Sequence, residues 1–144
     1  MPAPAIEIQG LVKDYGRTRA LDGLDLTVEP GRIVGFLGPN GAGKTTTIRI
    51  LLDLIRPTAG SARALGFNAQ RDSMQVRERC GYLPGDLRLY EGMRGDEFLD
   101  LIDSFRPHKR DRRLRDRLID DLTLDSSITI RALSKGNRQK LGLV

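Results

Sequence analysis

The sequence predicts an α/β fold: a three-layer core, an antiparallel strand pair beside it, and a helical subdomain after it. Three observations carry that prediction. An almost wholly apolar run, residues 33–37, leads directly into the glycine-rich stretch GPNGAGKTT at 38–46. Behind it, Ile48, Leu51, Leu52 and Ile55 recur at i, i+3, i+4 and i+7, one stripe of a helix. Ahead of it, Leu24, Leu26 and Val28 alternate with polar residues, the period of a half-buried strand.

The elements follow in order. Ile6, Ile8 and Leu11 open a first strand that ends near Asp14, Tyr15 and Gly16. The second strand closes on the turn Glu29-Pro30-Gly31. Residues 33–37 read as a central strand covered on both faces. The helix behind the glycine-rich loop carries Arg49, Asp53 and Arg56 opposite its apolar stripe, and Pro57 ends it. Residues 61–65 form a short strand closed by Gly66. Asp72 and Ser73 cap a short helix that runs through Arg79, and residues 81–84 read as a strand end. Helical spacing then returns twice, in Phe98, Leu101, Ile102 and Phe105, and in Leu114, Leu118 and Leu122, with Pro107 between them. The expected division is an α/β core over 1–86, a helical subdomain over 87–131 and a last segment over 132–144.

Composition narrows the class. A length of 144 residues fits one domain. No run of 18 apolar residues exists, so no membrane-spanning helix is expected. The start MPAPAIEIQ lacks a basic-then-apolar export signal. A single cysteine, Cys80, excludes an internal disulfide and reads as a small buried hydrophobe. The net charge of +5 is concentrated in Arg106, Lys109, Arg110, Arg112, Arg113, Arg115 and Arg117. Asp111, Asp116, Asp120 and Asp121 interrupt that run and no aromatic is interleaved, so it reads as the wet face of a helix rather than a nucleic-acid surface.

The chemistry begins at Gly38. Residues Gly38, Pro39, Asn40, Gly41, Ala42, Gly43, Lys44, Thr45 and Thr46 make a complete G-x-x-x-x-G-K-[ST] phosphate loop between a predicted strand and a predicted helix. Its glycines let the backbone curl and approach a polyphosphate closely. Lys44 brings a cation to the β- and γ-phosphates, the Thr45 hydroxyl suits Mg²⁺, and the helix points its positive end at the anion. These residues predict a nucleoside triphosphate site.

A second motif stands at 133–140, LSKGNRQK. Ser134 alone reads as a helix N-cap. Taken with the phosphate loop upstream, the stretch closely resembles the LSGGQ signature of ABC-type ATPases, with Lys135 in place of its first glycine and Asn137 in place of its glutamine. The LSKG variant is similar to the drug- and antibiotic-export branch of bacterial ABC transporters, and the resemblance covers essentially the whole chain.

That resemblance implies the rest. Tyr15 matches the aromatic that stacks on adenine. Ser134 and the Gly136 backbone would cap the γ-phosphate of a nucleotide held by residues 38–46 of a second copy. The implied cofactors are ATP and Mg²⁺. The implied partners are transmembrane permease subunits and a paired ATPase subunit, as a homodimer or otherwise, on the cytoplasmic face of the cell membrane. Residues 81–92 match the family's Q-loop region, but Gly85 stands where Gln or Glu is usual; the adjacent Asp86 is the candidate substitute on the metal. The family's Walker B aspartate, catalytic glutamate and switch histidine follow the signature and are absent here, so no catalytic residue is assigned. The expectation is the N-terminal portion of a longer ATPase, inactive by itself.

Two acidic runs, 98–103 and 118–121, have helical rather than strand spacing and are set aside as metal sites, and His108 reads as a surface residue. Three other readings stay open at this point: a soluble ABC-family ATPase acting on ribosomes or DNA, an unrelated phosphate-loop kinase using Asp103 or Asp120, and a non-catalytic ATP-binding module.

Overall fold

The computed structural model describes residues 3–105 and 112–144, in two compact units, Met1–Gly81 and Tyr82–Val144. The expectations for Arg106, Pro107, His108, Lys109, Arg110 and Asp111 fall outside the described residues.

In the first unit, alternating side chains build a hairpin. Strand β1, Ile6–Tyr15, pairs antiparallel with β2, Thr18–Val28, in a register that sets Ile8 opposite Leu26, Leu11 opposite Leu24 and Tyr15 opposite Thr18. On its other edge β1 pairs antiparallel with β3, Ala59–Ala64, and β3 with β4, Phe67–Asn68. The sheet order is β2-β1-β3-β4. Gly60 sits at φ +82° where β3 crosses the bulged middle of β1, and a Cβ there would overlap the Gly10 carbonyl, so the two backbones meet only because this residue has no side chain.

Helix α1, Lys44–Leu51, lays Thr47, Ile50 and Leu51 on this sheet. Ile50 and Leu51 join Ile8, Leu11, Leu21, Ala62 and Ala69 in one core, with Ile6, Leu24, Leu26 and Ile55 at its margin. The helix ends one turn before the expected Pro57 stop, because Asp53 takes φ +54°, a left-handed conformation that an α-helix cannot continue through. Ile48 is 38 % exposed rather than buried, since the face that packs is the one holding Thr47 and Ile50. Asp72 is the N-cap residue of α2, Ser73–Arg79, as expected, but its carboxylate accepts from the Asn68 N–H at 2.9 Å and makes no bond to the helix.

Two expected strands do not form. Residues 32–39 have no regular structure, and Ile33 and Leu37 are 105 % and 90 % exposed, which corrects the reading of a central strand covered on both faces. Residues 81–84 are likewise not a strand. A strand needs a hydrogen-bonding neighbour and a covering layer. Among the described residues the four strands pair only with one another, so both runs lack the partner that their apolar side chains would have paid for.

The second unit is helical, as the spacing indicated. Helix α3, Gly95–Ser104, and helix α4, Arg112–Asp121, precede a 3₁₀ turn at Ile130–Ala132 and helix α5, Lys135–Leu143. Phe98, Leu99, Leu124, Ile130, Leu133 and Leu141 form the core. Leu99 replaces the expected Leu101 on the buried face; Phe105 is 75 % exposed, and Leu114 is also exposed. Backbone bonds zip the entry of α3 to the stretch before α5: Gly95 N–H to Ile128 O at 3.1 Å, Asp96 N–H to Ser126 O at 2.8 Å, and Ile130 N–H to Met93 O at 2.8 Å.

Candidate functional site

The phosphate loop leads into α1 through Gly43, the N-cap residue, at φ +82°. A Cβ at Gly43 would overlap the Leu21 side chain and lie 2.6 Å from the Ala20 carbonyl oxygen, so this glycine is required both by its backbone angle and by the closeness of β2. Thr47, 1 % exposed, anchors the joint from inside: its N–H and its hydroxyl both donate to the Gly43 carbonyl, at 2.8 and 3.0 Å.

The loop frames a hollow of about 340 Å³ lined by Ala20, Asn40, Gly41, Ala42, Gly43, Lys44, Thr45 and Thr46. Among the described residues, the N–H groups of Lys44, Thr45 and Thr46 have no backbone acceptor, as at any helix start. No acidic residue stands in the first turn of α1, so the positive end of the helix is uncompensated by side chains. Lys44 folds back, its Nζ donating to the carbonyls of Gly38 at 2.6 Å and Pro39 at 2.7 Å. The Thr45 side chain stands on the exposed side of the same turn. Free N–H donors at a helix start, the helix dipole and one cation are the features that suit an anion.

Tyr15 lies at the end of β1, 46 % exposed. Lys13, two residues back on the same strand, places Nζ 5.0 Å from the ring centroid. One face of the ring is thereby covered by a cation, while the residue as a whole stays about half exposed. Tyr15 pairs with Thr18 on β2, the strand that also brings Ala20 to the phosphate loop.

Ser134 lies in the other unit. It is the N-cap residue of α5, and its Oγ accepts from the Asn137 N–H at 3.2 Å. That bond uses a lone pair and leaves the hydroxyl proton free to donate outward. Leu133 is buried while Ser134, Lys135 and Gly136 are exposed, so the turn projects from the core. Asp86 is exposed, with its carboxylate 3.6 Å from Arg88 Nε. Together with Gly85, Leu87, Leu133, Lys135, Arg138 and Gln139 it lines a second hollow of about 340 Å³ against the start of α5. The structure therefore groups Tyr15 with the phosphate loop in one unit, and Asp86 with the Ser134 turn in the other.

Sequence reasoning missed Ala20 and Leu21, which wall the loop, and Thr47, which bolts it down. Thr47 left a signal, a hydroxyl four residues after Gly43 on the buried face; Ala20 left none. Among the described residues of the basic run, Arg115 donates to Asp100 at 2.6 Å and meets Asp103 at 3.4 Å, Arg112 lies 3.6 Å from Asp100, and Arg117 lies 3.5 Å from Asp121. The Arg115 guanidinium is held further above its ordinary value, first by the hydrogen bond to Asp100.

A family model described as ABC transporter matches residues 21–144. The daunorubicin/doxorubicin resistance ATP-binding protein of Streptomyces peucetius is 40 % identical over 99 % of this chain and 44 % of its own length. The bacitracin transport ATP-binding protein of Bacillus licheniformis is 46 % identical over 53 % of this chain and 25 % of its own. A solved ATP-binding subunit of an ABC transporter superposes with a TM-score of 0.82 at 26 % identity, over 96 % of this chain and 60 % of that one. The chain spans about half the length of the curated relatives it matches.

Proposed function

The chain belongs to the ABC transporter family, and from that membership we propose that it is the nucleotide-binding part of a membrane exporter's motor subunit, coupling ATP binding and hydrolysis to transport. The observation that carries this is the phosphate loop: an N-terminal helix turn with free donors, no local acid and a lysine folded over the hollow. Names such as resistance protein and transport protein among the relatives favour export.

In this reading the first-turn N–H groups of α1 and Lys44 bind the β- and γ-phosphates. Lys44 exchanges its two carbonyl acceptors for phosphate oxygens, a swap that strengthens both bonds by adding charge. The adenine stacks on the exposed Tyr15 ring, which holds any base without edge readout. Mg²⁺ would reach Thr45 on the phosphates; among the described residues no cluster of three or more His, Cys, Asp or Glu offers a separate metal site. Bound magnesium supplies charge neutralisation between the phosphates. Ser134 and the Gly136 N–H donate to the γ-phosphate held by a paired subunit, so the nucleotide closes two copies together. Among the described residues no helix is long and apolar enough to cross a membrane, which suits a motor that works through separate permease subunits on the cytoplasmic face.

The pairing of the α4 arginines with acidic neighbours supports this reading over one in which a basic helix binds nucleic acid. The test is Mg-ATP binding and turnover by the full-length protein with its membrane partner. Weakened binding in Lys44→Ala and loss of turnover with retained binding in Ser134→Ala are expected. Wild-type affinity in the first variant would sink the proposal.

A further inference from the structure

We infer that Arg138 is the positioning residue of the Ser134 turn and that Glu91 is its anchor. This rests on the reading above, in which Ser134 and Gly136 receive a γ-phosphate.

Arg138 lies one turn beyond Ser134 on α5, and its side chain reaches back past the helix start. Nε donates to the Leu133 carbonyl at 3.2 Å, Nη2 to the Arg131 carbonyl at 3.1 Å, and Nη1 to Glu91 Oε1 at 3.1 Å. One planar fork thus takes three acceptors, which a lysine ammonium on a flexible stem does not match. Glu91 is itself fixed, because its carbonyl accepts from the Arg131 N–H at 3.1 Å. The result is a closed circuit of Glu91, Arg131 and Arg138, spanning 47 residues of sequence.

The peptide between Leu133 and Ser134 is planar, so holding the Leu133 carbonyl holds the Ser134 N–H and the place of its Cα, from which the side chain leaves. The same circuit adds little to the fold. Glu91 is about half exposed, and solvent-screened pairs of this kind contribute little to stability. Leu133 and Leu141, both buried, already pin α5 to its core. What the guanidinium adds is the aim of the turn.

The experiment measures ATP turnover by the full-length protein with its membrane partner, in Arg138→Met, Arg138→Lys, Glu91→Gln and Ser134→Ala. A misdirected turn is expected to lower kcat by about 10- to 100-fold in Arg138→Met while KM for ATP stays within about twofold. Arg138→Lys should recover only part of the loss, Glu91→Gln should fall between Arg138→Met and wild type, and melting temperatures should stay near wild type. A Ser134→Ala variant that loses turnover beside an Arg138→Met variant that keeps it overturns the inference alone. A Ser134→Ala variant with full turnover overturns the reading beneath it and the inference with it. If Arg138→Met does not fold, Arg138→Lys and Glu91→Gln decide, and wild-type kcat in both overturns the inference.

Discussion

Lys44 Nζ lies 2.6 Å from the carbonyl oxygen of Gly38, so the loop's own backbone holds the cation that a phosphate would claim. Replacing Lys44 by alanine removes both that internal tie and the charge-assisted bonds to the ligand. Bonds of this kind are worth about 1.5–3 kcal/mol, so ATP affinity should fall on the order of 10- to 100-fold by calorimetric titration of the full-length protein.

Gly43→Ala should act through folding rather than charge. The left-handed angle costs an alanine roughly 1–2 kcal/mol, and overlap with Leu21 and the Ala20 carbonyl adds to it. A loss of about 2–4 kcal/mol in urea unfolding is expected, within the range of severe backbone substitutions. An unchanged midpoint would mean that β2 and the loop are not packed as described.

Tyr15→Ala should weaken ATP binding by about 1–3 kcal/mol, with Tyr15→Trp near wild type, because the stack needs a ring and not a hydroxyl. Equal affinities in the two variants would remove Tyr15 from the site.

Arg115 and Arg117 make a contrast on one helix. Arg115 is only 16 % exposed and faces Asp100 and Asp103, so Arg115→Ala should destabilise the protein by about 1–2 kcal/mol. Arg117 is 77 % exposed, and Arg117→Ala should stay within about 0.5 kcal/mol. Chemical denaturation of both variants checks the difference.

Acid should loosen the zipped stretch before α5. The Asp96 carboxyl is held below the usual carboxylate range first by the Arg94 hydrogen bond, and that of Asp125 first by the Ser127 hydroxyl. Because these groups bind protons less readily when folded, their stabilisation is fully present above the ordinary carboxylate value of about 3.9 and is lost as pH falls through their lowered values. Thermal melts between neutral and strongly acid pH should show this limb, shallower in Asp96→Asn. A limb of equal steepness in wild type and variant would exclude Asp96 as a source.

Much of the site was legible because its signals are local. The glycines of residues 38–46 marked the turn that leads into α1 at Gly43, and Ser134 announced a helix start that the structure contains. The alternation of Leu24, Leu26 and Val28 gave a strand, and the spacing around Phe98 and Leu118 gave two helices, because each pattern is a period of one element.

What the sequence by itself determined, then, is the glycine-rich entry into α1, the hairpin beside it and the helical character of the second unit. Only tertiary structure decided that residues 33–37 stay outside the sheet, that Leu21 walls Gly43, and that Arg138 meets Glu91. The reason is physical. A period, a cap or a turn is written in neighbouring residues, whereas a strand's place in a sheet and an ion pair's partner depend on chain segments far apart in sequence, which approach only when packing brings them together.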